Sequence, residues 1–256
     1  MKDTCLILAT ILLLAALGLV RFIGCDRVFG VQGASYGPAV QFRQVSQLDF
    51  ATSDPASITT QPFLLDTQQG NLIVVWIWYN SNAGSVASVQ DSAGNTNYQV
   101  AVPRVVGTGP DLSNDAQEIW YAIVQTPGTE VTVMANFQGT PFTTKKAIFA
   151  HEYSGFSTST PFTGTFNVGS GTAPNNLDTQ VASGPVSISV DLLFGAGILR
   201  MVGLADTSAG FTPRVMTADG NISEDIIPPP NVPLGATFIC HGGGDWLVQA
   251  ARFKVS

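Results

Sequence analysis

Residues 71–102 read NLIVVWIWYN, SNAGSVASVQ and DSAGNTNYQVAV, the stretch that decides the fold. The opening run is β-branched and aromatic on both faces, the pattern of a central strand covered on each side. The second run alternates and reaches Asp91-Ser-Ala-Gly-Asn95, a turn. Tyr98 leaves that turn as another strand. The segment is therefore strand, loop, strand, turn, strand, and the rest of the body is expected to add sheet around it.

Working outward, period-two or continuously apolar runs recur over residues 39–50, 57–65, 117–125, 130–137 and 145–153. They return over 177–183, 186–190, 192–202, 211–216, 222–227, 236–240 and 246–255. The last run alternates from Leu247 to Phe253 behind Gly242-Gly243-Gly244 and is read as a strand, not a helix. Residues 103–114, 154–176 and 225–233 are expected as long polar loops. The connections are mostly too short for crossover helices, so the strands should run antiparallel. The fold class that follows is all-β: an antiparallel, jelly-roll-like β-sandwich. About 220 residues suit one large sandwich or two small ones, and residues 39–256 are taken as one domain. No internal repeat is convincing. Ser92-Ala93-Gly94 returns as Ser208-Ala209-Gly210, which reads as turn chemistry used twice.

Charged residues make up only 11% of the 256, so solubility must rest on neutral polar groups. From Tyr36 onward there are 16 acids and 8 bases, a net −8, with no basic cluster beyond Lys145-Lys146. Nucleic acid is therefore excluded as an expected partner. Three cysteines do not make a disulfide framework.

Residues 1–24 carry Lys2 and then an apolar run from Cys5 to Val20, an export signal or membrane anchor helix. Residues 25–38 are a flexible tether. Three outcomes compete: lipidation of Cys25 at a lipobox-like Phe22-Ile23-Gly24-Cys25, cleavage near Gly33-Ala34-Ser35, or an uncleaved anchor. Each places the body outside the cytoplasm. The membrane is expected as a partner only through this segment or its lipid.

The runs GNLIVVWIWY, SVASVQDSAGNTNY, IWYAIV and AHEYSG, with a closing Trp246…Phe253-Lys254, resemble an uncharacterised family of exported bacterial β-sandwich surface domains. The resemblance spans residues 50–254. It implies a sandwich fold and carries no established catalytic residues.

Several residues invite chemistry. Asp91 and Asn95, with Asp111 or Asp115, are the oxygen donors a Ca²⁺ ion would use, though a capped turn explains Asp91 and Asn95 more simply. His151-Glu152 and Cys240-His241 suggest a metal site or a dyad. Strand neighbours point to opposite faces, which argues against both. Glu118 and Glu152 are the pair a glycosidase would need. Trp76 and Trp78 belong to the core by pattern, whereas Tyr121 and Trp246, near strand ends, are the aromatic platforms for a sugar ring. The expected function is a non-enzymatic extracellular binding or adhesion module that takes a glycan or a surface protein. The alternatives are a self-associating structural subunit of a filament, sheath or surface layer, and a lectin-like glycoside hydrolase.

Overall fold

The computed structural model describes residues 40–49, 56–80, 84–139, 145–175, 177–186, 191–201, 205–227 and 233–256. Cys25 and the rest of the N-terminal segment lie outside them. Strand β3 (Leu72–Asn80) is the run expected to be central, and all but its last residue are buried. It pairs antiparallel with β6 (Asp115–Ile123) on one side and β8 (Lys146–Ser154) on the other. With β1 (Gln41–Leu48) outside β8 and β5 (Gln99–Val106) outside β6, these make a five-stranded sheet. A smaller sheet of β2 (Ser57–Thr59), β7 (Val133–Gln138) and β4 (Ser85–Asp91) covers one face. Ile73, Val75, Ile77 and Tyr79 point into the core between the two.

The second part of the chain builds the same object. Its strands are β9 (Phe162–Ala173), β10 (Thr179–Ala182), β11 (Leu192–Met201), β12 (Ala205–Thr207), β13 (Thr212–Met216), β14 (Asn221–Ile226), β15 (Thr237–Cys240) and β16 (Gly244–Phe253). The large sheets run β1-β8-β3-β6-β5 and β9-β16-β11-β14-β13, and the small ones β2-β7-β4 and β10-β15-β12. Adding eight to each strand number of the first half gives the second. Each half is a jelly roll whose fifth strand stays on the large sheet. The residues beyond 36 nonetheless form one compact unit. The two large sheets face each other across a shared core that contains Trp76, Trp78 and Phe149 from one half and Phe194, Ile198 and Leu247 from the other. The stack is small, large, large, small.

The register extends the duplication to single residues. Leu72 lies opposite Tyr153, and Leu192 opposite Phe253. Just before these pairs, Asn71 Nδ2 donates to Glu152 Oε1 at 2.6 Å, and Arg252 Nε donates to Asp191 Oδ2 at 2.6 Å. Just outside them, Phe42 packs on Tyr153 and Phe162 on Phe253. Ser92-Ala93-Gly94 follows β4, and Ser208-Ala209-Gly210 follows β12. The echo read from sequence as reused turn chemistry sits at equivalent corners of the two halves.

Two expectations change. Residues 154–176 are not one loop: β9 runs through them as a twelve-residue edge strand. Gly164, Gly169 and Gly171 hide its alternation, and the last two have a structural cause. A Cβ on Gly171 would come 3.1 Å from the Trp246 ring, and one on Gly169 would also strike the Ala182 carbonyl oxygen at 2.0 Å. Trp246 is the cross-strand partner of Gly171, so an aromatic ring covers glycines that otherwise weaken an edge. The expected loop from residue 103 likewise begins later, because β5 continues to Val106. Of the run expected over 186–190, residues 187–190 lie outside the described set.

Candidate functional site

The two halves are joined by residues 155–161. This connector is tied to the C-terminal end of the chain: Lys254 N donates to Pro161 O at 2.7 Å, and Ser256 N to Gly155 O at 3.1 Å. Held in this way, it forms one wall of a groove of about 650 Å³. The end of β6, the start of β5, the Gln69-Gly70 turn and Phe162 also line it.

Tyr121, one of the two sequence-expected aromatic platforms, lines this groove. It faces the other half because Ile119 and Tyr121 share the inner face of β6, while Trp120 and Ala122 face the small sheet. Its ring packs on Phe162 (5.5 Å between centroids) and Phe253 (5.7 Å). Its hydroxyl donates to Gln99 Oε1 at 2.8 Å, and burial pushes its pKa up, so the phenol stays neutral. Around it lie the amides of Asn97, Gln99 and Gln125 and the hydroxyls of Thr158, Ser159 and Thr160. Among the described residues no ionisable carboxylate or base lines the groove. One amide is held in a particular way. Asn97 Nδ2 donates to Ile123 O at 2.9 Å, while Asn97 Oδ1 is buried without a donor. A buried acceptor left unpaired costs free energy until something donates to it.

A second cleft, of about 450 Å³, lies at the topologically equivalent junction, where β1 meets β13. Its lining shares neutral polar groups, at Ser46, Gln47 and Gln61, but adds Leu64, Val215, Met216 and the charged Arg214, with Leu64 94% exposed. Arg214 is already committed, to the Asp225 carboxylate at 2.6 and 2.8 Å and to the Phe42 ring.

The other candidates fall elsewhere. Trp246 faces the second small sheet, opposite in direction to Leu247, and is not brought near Tyr121. Asp91 spends both oxygens on its own turn: Oδ1 accepts from Ala93 N and Asn95 N, both at 3.0 Å. Oδ2 accepts from Asn95 Nδ2 at 2.8 Å and Tyr98 OH at 3.2 Å. Asn95 Oδ1 in turn accepts from Gln125 N and Thr126 N. Among the described residues no group of three or more His, Cys, Asp or Glu is placed to hold a metal.

Glu118 and Glu152 face the same small sheet but lie opposite Ile77 and Ile73 on different neighbours of β3. Four residues along the strand and two strand spacings across put them on the order of 16 Å apart. Paired glycosidase acids stand about 5–9.5 Å apart. Both are also buried and bonded, Glu118 to Tyr79, Trp120 and Val86 N, and Glu152 to Gln44, Gln68 N and Asn71. This pair therefore forms no two-carboxylate site.

His151 points away from Glu152 and contacts Ser223 Oγ at 2.9 Å across the shared core. Burial lowers its pKa to about 3, which keeps it neutral. Cys240 is buried and free, whereas His241 bonds Asp178 at the surface. Glu224, outside the expected acid pair, is buried, which pushes its pKa up to about 9. Only an outline of its position was legible, as an acid inside a short strand. Neither the protein-family models nor the curated protein sequences give a match to this chain.

Proposed function

We propose that this chain is an exported, surface-held carbohydrate-binding module, and that the groove beside Tyr121 is its binding site. The observation that carries this reading is the wall chemistry: neutral amides and hydroxyls around aromatic rings, fixed between two rigid sheets. Sugars offer hydroxyls that both donate and accept, together with apolar C–H faces, and that wall answers both. The groove's size lies within the range typical of small-ligand sites, about 300–1,000 Å³. Export rests on the apolar run of residues 5–20, and tethering on that run or on a lipid at Cys25. The resemblance to exported bacterial surface domains supports the same setting.

The test is a glycan array probed with the full chain, alongside Ser159→Trp. Ser159 is exposed on the connector, so an indole there fills the groove without disturbing a core. The expected outcome is saccharide binding that Ser159→Trp abolishes at an unchanged melting temperature. Binding that survives the blocked groove, or capture of uncharged peptides with no saccharide, rejects the proposal.

A further inference from the structure

We infer that the cleft between β1 and β13 is a self-association surface, where two copies of this chain meet about a twofold axis and each seats Leu64 in the other's cleft. This does not depend on what the groove beside Tyr121 binds. Leu64 is 94% exposed, yet its backbone is fixed on both sides. Phe63 is buried, and its N donates to Val131 O at 2.9 Å; Leu65 N donates to Gln44 Oε1 at 2.8 Å. An apolar side chain is thus held out in water beside a hollow of about 450 Å³ that Val45, Val215 and Met216 help to line. Protrusion and hollow share one surface, which is what a contact between identical patches requires.

Three features favour a second copy as the occupant. The first is area. Leu64 and Met216, the latter 51% exposed, put on the order of 300 Å² of largely apolar surface into water at one place. With the exposed Pro62, Gln47 and Gln61 around them, the patch approaches the ~800 Å² per partner of a standard interface, apolar at the centre and polar at the rim. The second is charge. The chain carries −7, so copies repel, but Arg214 in this lining brings its counter-ion with it, the Asp225 carboxylate at 2.6 and 2.8 Å. Two copies can close here without burying an unpaired charge. The third is closure. Pro213 and the bulge between Pro213 and Val215 spoil β13 for strand pairing, so side chains make the contact and it ends at two copies. The groove beside Tyr121 lies at the other end of the large sheets, by β5 and β9, about 19 Å away across four strand spacings. A pair joined at the cleft therefore leaves both grooves open, and a repeating ligand would meet two of them.

The experiment is analytical ultracentrifugation of the full chain over a concentration series. The parent is expected to dimerise as concentration rises, and Leu64→Asp and Met216→Arg each to weaken the dimer at least tenfold. Both side chains are exposed, so dilute variants should melt where the dilute parent does. Mixing Leu64→Asp with Met216→Arg should restore the dimer, because one of its two contacts then sets aspartate on arginine and the other keeps leucine on methionine. A parent that stays monomeric at every concentration, whether or not Leu64 carries it onto neutral lipid vesicles, overturns the inference. So does a dimer that survives both variants, or a mixture of the two that stays monomeric. Ser159→Trp, at the other end of the sheets, should dimerise as the parent does, so failure here and failure of saccharide binding are read separately.

Discussion

The two halves share a strand order and fill it from opposite sides. In the first, the central strand brings the bulk: Val75 and Ile77 toward the small sheet, Trp76 and Trp78 toward the other half. The pairing of Leu72 with Tyr153 and of Leu192 with Phe253 aligns these four with Gly195, Gly197, Ala196 and Ile198. In the second half neighbouring residues close over the glycines, with bulk from the small sheet at Phe238. A Cβ on Gly195 would come within 2.4 Å of the Ala236 methyl, and one on Gly197 within 3.0 Å of the Phe238 ring. Stacked sheets keep a spacing near 10 Å, so volume removed from one layer must be returned by its neighbour. What the duplication preserves is strand order and pairing register. Residue identity is free to move across the gap.

The largest break in this comparison is Trp76→Ala. The indole is fully buried, stacks on Phe149 at 4.7 Å and donates to Gln117 Oε1 at 2.9 Å. Its counterpart, Ala196, contributes only a methyl, so the shared core leans on the first half here. Truncation should cost about 3–5 kcal/mol, because the cavity adds to the lost transfer energy and Gln117 loses its donor. Urea denaturation of the full chain measures it; a loss below about 1 kcal/mol would mean that the large sheets are not held together at this point.

The next contrast is a position filled by an aromatic ring in one half and an acid in the other. Trp120 lies opposite Val75, and Glu224 opposite Gly195. Glu224 is buried, with Oε1 accepting from Thr237 N at 2.8 Å and Oε2 unpartnered. Its pKa rises from 4.5 to about 9, chiefly through burial. Between those values the folded chain holds a proton that the unfolded chain has released. The contribution of Glu224 is therefore full below about pH 4.5 and declines as pH rises toward 9, with a slope of at most about 1.4 kcal/mol per pH unit. Glu224→Gln mimics the protonated acid and should flatten that decline. Denaturation midpoints at pH 5, 7 and 9 test it, and parallel profiles for parent and variant would exclude Glu224 as the source.

How much of this was legible depends on which signal each residue leaves in the chain. The central strand, the alternating last strand and the burial of Trp76 followed from periodicity, because a covered strand is apolar on both faces. The duplication did not, since exchanging Val75 and Ile77 for glycines erases sequence likeness while preserving the layer. Strand β9 was hidden for a related reason: Gly171 makes room for the Trp246 ring and Gly169 for the Ala182 carbonyl, and without side chains they read as loop. At the groove, Tyr121 was legible as an aromatic near a strand end. Asn97, Gln99 and the hydroxyls of residues 158–160 were not, because ordinary polar residues become a wall only when the connector folds back across them.

The smallest effect is the sharpest test of volume exchange, because its sign is in question. Gly197 lies in a strand without positive φ, so replacing it by alanine restricts the unfolded chain and, given room, would stabilise by about 0.4–1 kcal/mol. The Phe238 ring removes that room, and Gly197→Ala should instead destabilise by about 1 kcal/mol. Phe238→Leu alone should also destabilise, by leaving a gap over the glycine. Together the two changes should cost less than their sum by about 1 kcal/mol, since the added methyl enters space the ring has vacated. A double-mutant cycle from urea midpoints reads the coupling directly. Additive losses would mean that Gly197 and Phe238 do not share one volume, and that β11 carries glycine for a reason other than the bulk of the layer above it.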